Sequence, residues 1–238
     1  MRRDILLVRH GENRANLTRE FSYRNIDYGL TQRGVVESLR TALWIRQYCI
    51  TGVFSSPLRR AVETGAIIAS LFGFAVEIVE DFREINVGSL EGQSTSENWQ
   101  LHNSILDDWK RGCWTRAFPN GESFEELMHR VRRGLTHVAS TNSKRAVVVT
   151  HGGVLHAIRY GLLDNPIPAD SPTCSVSQLS VDLSVDTLRC GLLSAPFVGH
   201  LSGINHGNES FDPNDALNAN EFTRDAILEM SENFRSKQ

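Results

Sequence analysis

The stretch Ile5-Leu6-Leu7-Val8-Arg9-His10-Gly11-Glu12 decides how the rest of the chain is read. Four apolar residues in succession end in a charged pair and a glycine. A short, uninterrupted apolar run suits a strand buried on both faces of a parallel-type sheet. Such sheets carry their chemistry in the crevice beyond the carboxyl ends of the strands, which is where Arg9 and His10 fall. Gly11, without a Cβ, leaves room for a ligand near the backbone. A guanidinium can fork two oxygens of an anion, and an imidazole is uncharged and nucleophilic near neutral pH.

The pattern returns at Val147-Val148-Val149-Thr150-His151-Gly152-Gly153. Two strands of one sheet would each deliver a histidine to the same edge. Between them, Ser55-Ser56-Pro57-Leu58-Arg59-Arg60 puts Arg59 in the first turn of a helix that follows a strand. Helix N-termini attract anions through free N–H groups and the macrodipole. Arg9, His10, Arg59 and His151 together form a cluster suited to a tetrahedral dianion. Arg60 reads as a solvated helix residue, and Glu12 as either a site or a loop residue.

The 238 residues are enough for one full core, and 40% hydrophobic with 22% charged residues is ordinary for a water-soluble domain. A net charge of -3 argues against an electrostatic nucleic-acid or membrane binder. No apolar run has bilayer length, and the apolar part of the N-terminus is too short for a signal peptide. Cys49, Cys113, Cys174 and Cys190 have neither C-x-x-C nor zinc-finger spacing. They read as free thiols in a reducing compartment, hence a cytoplasmic protein.

Strand signals recur at residues 52–55, 74–79 and 146–150 and as a late hairpin over 176–183 and 187–193. Helices are expected after Thr31, from Ser56-Pro57 to Gly73, over 96–111, after the S-x-x-E capping box at Ser123 and over 154–163. Residues 13–30 read as a polar loop and about 85–120 as a cap beside the site. Alternating strands and helices imply an α/β domain, a three-layer sandwich with a mostly parallel sheet. It spans residues 1–201, followed by an acidic extension, 202–238. There Phe222, Ala226, Met230 and Phe234 suggest a helix that docks on its own domain or on a second subunit of a homodimer.

The order of motifs resembles the histidine phosphatase superfamily, also called phosphoglycerate mutase-like. The matching stretches are Arg9-His10-Gly11-Glu12 with Asn16; Leu30-Thr31 with Gly34; Ser55 to Ala61 with Thr64; Arg83-Glu84-Ile85 with Gly88, Glu91 and Gly92; Gly121-Glu122-Ser123; and His151-Gly152-Gly153-Val154. The resemblance implies that His10 is the nucleophile, forming a phosphohistidine. It implies that Arg9, Arg59, Asn16, His151 and Gly152 hold the phosphoryl group, and that Glu84 protonates the leaving oxygen and later helps activate water. A covalent intermediate splits one hard displacement into two easier ones, and fixed positive groups offset charge as it develops. Arginines and histidines supply that charge, so no metal or other cofactor is expected.

The implied activity is hydrolysis of a small phosphorylated metabolite. A phosphoglycerate-type mutase is the alternative. Against it stand the short interval from Glu84 to His151, Ile85-Asn86-Val87 where mutases carry arginines and a tyrosine, and Gly153 where they carry asparagine. Ala15 and Arg24 also stand where mutases have tryptophan. A silent phosphate-binding module on the same fold is the third reading. His102, His129, His137 and His156 read as structural or exposed, and Trp99, Trp109 and Trp114 as packing for the cap.

Overall fold

The computed structural model describes residues 2–164, 170–184 and 187–202. The helix expected around Phe222 and Met230 lies outside them. Among the described residues six strands form one sheet: β1 (Arg2–Arg9), β2 (Gly52–Ser55), β3 (Val76–Ile78), β4 (Arg145–Thr150), β5 (Val176–Leu183) and β6 (Leu188–Phe197). Their order across the sheet is β3-β2-β4-β1-β5-β6. The first four run parallel, with Arg9 of β1 in register with Thr150 of β4. The hairpin β5–β6 adds antiparallel to β1 at one edge.

The central strands are buried on both faces, which explains their unbroken apolar runs. Odd and even positions part into two cores. Leu6, Val8, Val53, Val147 and Val149 pack with α2 (Gln32–Ile45) and α3 (Arg59–Ser70). Ile5, Leu7, Phe54 and Val148 pack with α5 (Phe124–Ser140) and α6 (Gly152–Leu162). The result is the expected three-layer sandwich. On the second face α4 (Ser96–Lys110), on the helix expected over 96–111, buries Ile105 and Trp109, and Trp109 packs on Phe124.

Helix starts follow local chemistry. Thr31 caps α2 by accepting from Gly34 N–H, and Ser123 and Glu126 form a reciprocal capping box at α5. Two readings shift. The polar loop of 13–30 contains a short helix, α1 (Arg14–Thr18), capped by Asn13 and Asn16. Helix α3 begins at Arg59 rather than at Pro57, with Leu58 as its N-cap. No helix among the described residues is long and apolar enough to cross a membrane.

Candidate active site

β1 and β4 are hydrogen-bonded neighbours, so His10 and His151 emerge side by side at their carboxyl ends. The two rings lie 5.1 Å apart, and both residues are buried. His10 Nδ1 is 2.7 Å from its neighbour's carbonyl, Gly11 O. A carbonyl can only accept, so the proton sits on Nδ1 and Nε2 carries the lone pair. Arg60 Nε donates to that Nε2 at 3.1 Å, as this tautomer requires. Burial, then the nearby guanidinium charges of Arg60 and Arg9, holds His10 well below the ordinary histidine pKa. Burial and Arg60 do the same to His151. His10 is therefore a neutral imidazole with its nucleophilic nitrogen facing the cleft.

The structure corrects one site assignment. Arg59 is not at the site: its side chain is 52% exposed, its Nε donates to Glu63 at 2.7 Å, and its backbone N–H is taken by Asp27. The anion at this helix N-terminus is a carboxylate of the protein itself. Arg60, expected to be solvated, is 3% exposed and lines the cleft. Its Nη atoms donate to Ser22 Oγ and Ser22 O at 2.9 and 3.0 Å, which aims the fork at His10. Burial draws its pKa down to about 10, so it keeps its charge at neutral pH.

Arg9 donates to Ser171 O at 2.7 Å, while its buried Nε has no partner among the described residues. Gly152 and Gly153 form the first turn of α6, whose N-cap is His151, and they line the same cleft. His151 meets Ser56 Oγ at 2.6 Å through Nε2, and its buried Nδ1 has no partner among the described residues. Glu84 is anchored by two backbone donors, Ile85 N–H at 2.9 Å and Gly153 N–H at 3.3 Å. A methyl group at 153 would overlap Glu84 Oε1, so glycine there is what lets the carboxylate approach. Gly11 has a different reason from the one expected. A Cβ would stand 2.5 Å from Gly34 O, so the residue serves the packing of β1's end against α2.

Asn16 lines the cleft, but its side-chain oxygen accepts from Asn13 N–H at 3.0 Å within the cap of α1. Asn13, absent from the expected site, is 1% exposed, lines the cleft and has an Nδ2 donor with no partner among the described residues. His102 and His156, read as structural or exposed, and Trp99, read as packing, also line it. The cleft holds about 420 Å³, room for a small molecule. Among the described residues no group of three or more His, Cys, Asp or Glu is placed to hold a metal ion. The arrangement offers a neutral nitrogen nucleophile, two guanidinium groups, a helix N-terminus and a carboxyl group, the parts of a phosphoryl-transfer site.

The family model of the histidine phosphatase superfamily (branch 1) matches residues 5–189. The chain belongs to that superfamily. It is 32% identical over 154 residues to a Hydrogenobacter thermophilus protein named "Putative phosphoserine phosphatase 2", covering 65% of this chain and 75% of that one. It is 30% identical over 186 residues to "Probable phosphoglycerate mutase GpmB" of Erwinia tasmaniensis, covering 74% and 83%. Its fold is shared with a mycobacterial glucosyl-3-phosphoglycerate phosphatase solved with inorganic phosphate, at a TM-score of 0.69 and 21% identity over 84% of this chain and 100% of that one.

Proposed function

We propose that the chain hydrolyses a small phosphate monoester through a phosphohistidine on His10. The observation that carries this is the tautomer of His10, whose Nδ1 is engaged by Gly11 O while Nε2 faces the cleft beside Arg60. Arg60 turns its Nε–H from His10 Nε2 to a phosphoryl oxygen, and the released Nε2 lone pair attacks phosphorus as the bond to the leaving oxygen breaks, while the Glu84 carboxyl gives that oxygen its proton. Arg9, Arg60 and the first N–H groups of α6 take the charge on the equatorial oxygens. Water then attacks phosphorus, its proton passes to the Glu84 carboxylate, the P–N bond breaks and inorganic phosphate leaves. His151 packs against His10 and keeps the floor of the site neutral.

The reading extends to residues 85–120 as a cap, supported by Trp99, His102 and Leu106 of α4 on the cleft wall. The four free thiols support a reducing, cytoplasmic setting. A phosphoglycerate-type mutase is the second reading, favoured by the relative of that name.

His10→Ala should abolish turnover of an aryl phosphate while the circular dichroism spectrum is unchanged. Brief labelling of the native enzyme with radioactive substrate should give a phosphoenzyme that is stable to alkali and lost in acid. Full activity in the variant would overturn the proposal. Product analysis on 3-phosphoglycerate separates the two readings: release of inorganic phosphate supports the hydrolase, and formation of the 2-isomer the mutase.

A further inference from the structure

Beyond Arg9, His10 and Arg60 the cleft continues between two helix faces. Helix α4 presents Trp99, His102 and Leu106, and α6 presents His156 one turn past Gly152. Phe21 closes the wall between them. Its ring lies 4.3 Å from that of Trp99 and 5.0 Å from that of His102, and Trp99 is fixed by an Nε1 hydrogen bond to Arg19 O at 2.9 Å. Besides Arg9 Nε, two buried polar atoms of lining residues have no partner among the described residues, Asn13 Nδ2 and His156 Nε2.

The charge of this outer half is nearly balanced. Among the described residues, apart from Arg9, Arg60 and Glu84, the charged ones on the wall are Arg19 and Glu20, of opposite sign and adjacent in the chain. The Arg19 guanidinium rests 5.3 Å from the Trp99 ring centre. Burial lowers the pKa of His102, and that of His156 to about 4, so both rings are neutral at pH 7. A leaving group carrying a carboxylate or a second phosphate would find one exposed cation there, with its guanidinium over the Trp99 ring. An uncharged ring would find three aromatic edges or faces and a hydrogen-bonding nitrogen.

We propose that the outer cleft is a subsite for an uncharged aromatic leaving group, contacted by Trp99, Phe21 and His102, with His156 Nε2 as the polar contact to a ring substituent. This rests on the phosphatase reading and names the substrate class for that site.

The test compares three phosphate esters of alkyl alcohols, chosen so that leaving-oxygen reactivity is similar: benzyl phosphate, glycerol phosphate and phosphoserine. The wild-type kcat/KM for benzyl phosphate should exceed the other two at least tenfold. Trp99→Ala should shrink the benzyl-to-glycerol ratio about fivefold, and Trp99→Phe should preserve it. The advantage of 3-hydroxybenzyl over benzyl phosphate should disappear in His156→Phe. Phosphoserine ahead of benzyl phosphate, or an equal loss on all esters in Trp99→Ala, overturns the subsite and leaves the phosphatase reading standing. No turnover of any of these esters or of an aryl phosphate by folded wild-type protein overturns the phosphatase reading and the subsite with it.

Discussion

Arg130 donates to the backbone carbonyl of Glu84 at 3.0 Å, across 46 residues of chain. The same guanidinium donates to Asp81 O at 2.9 Å and Arg83 O at 2.6 Å. Glu122 grips it from the other side at 2.6 and 3.0 Å and also accepts Asn86 N–H at 2.7 Å. One ion pair on and beside α5 thus fixes the loop that carries the proposed proton donor.

Arg130→Ala should therefore reduce kcat, by about 10²-fold if the carboxyl group moves by the order of an ångström. KM should change much less, because the phosphate cradle does not include this residue. Arg130→Lys should recover part of kcat. Steady-state kinetics on an aryl phosphate decide it, and a loss seen only in KM would contradict the clamp.

Neighbouring arginines should behave oppositely. Arg60→Ala removes a donor aimed at the reacting group and should cost about 10²–10³-fold in kcat. Arg59→Ala should leave kcat within about twofold, because its half-exposed side chain turns to Glu63 and away from the cleft. Equal losses in the two variants would contradict the placement.

Two glycines should separate activity from stability. A methyl at Gly153 would meet the side chains of Glu84 and Ile85, which can move, so Gly153→Ala should fold and lose turnover at least tenfold. A methyl at Gly11 would meet the backbone oxygen of Gly34, which cannot. Gly11→Ala should cost about 1–3 kcal/mol of stability. Thermal melts and kinetics on both variants check this.

Stability should fall on the acid side of neutrality. Burial holds His10 and His151 well below 6.5, and His156 at about 4. Below about pH 6.5 the unfolded chain binds protons that the native state refuses. Unfolding free energy therefore drops as pH falls through that window, by up to about 1.4 kcal/mol per unit for each such histidine, and is flat above it. Urea midpoints at pH 7.5 and 5.0 measure the effect, and His156→Gln should narrow the gap. Equal wild-type midpoints would contradict it.

The central strands were legible because burial on both faces writes an unmistakable run, as at Val147-Val148-Val149. The histidines at their ends were legible for the same reason, since position after a strand fixes where a residue emerges. Arg59 and Arg60 were not separable by that rule. On a helix, adjacent residues point about 100° apart, so the choice depends on how the helix is rotated. A signal did exist: Arg60 is followed at i+4 and i+8 by Thr64 and Ile68, whereas Arg59 is followed at i+4 by Glu63, a carboxylate ready to pair with it. Asn13 was hidden because it sits in a turn whose start only the cap geometry reveals. Trp99 and His156 could not be paired from sequence, because α4 and α6 meet across the cleft through no local pattern.

The place of β4 between β1 and β2 bears on how the chain is made. Synthesis delivers β1, β2 and β3 by residue 78, yet β1 touches neither of the other two. Its partners are β4 and β5, which emerge later. Until residue 150 has left the ribosome, the apolar run of residues 5–8 in β1 has both edges open. Products of premature termination before β4 would then carry a sticky, unpaired ribbon rather than a weak version of the enzyme, and would be substrates for chaperones and proteases.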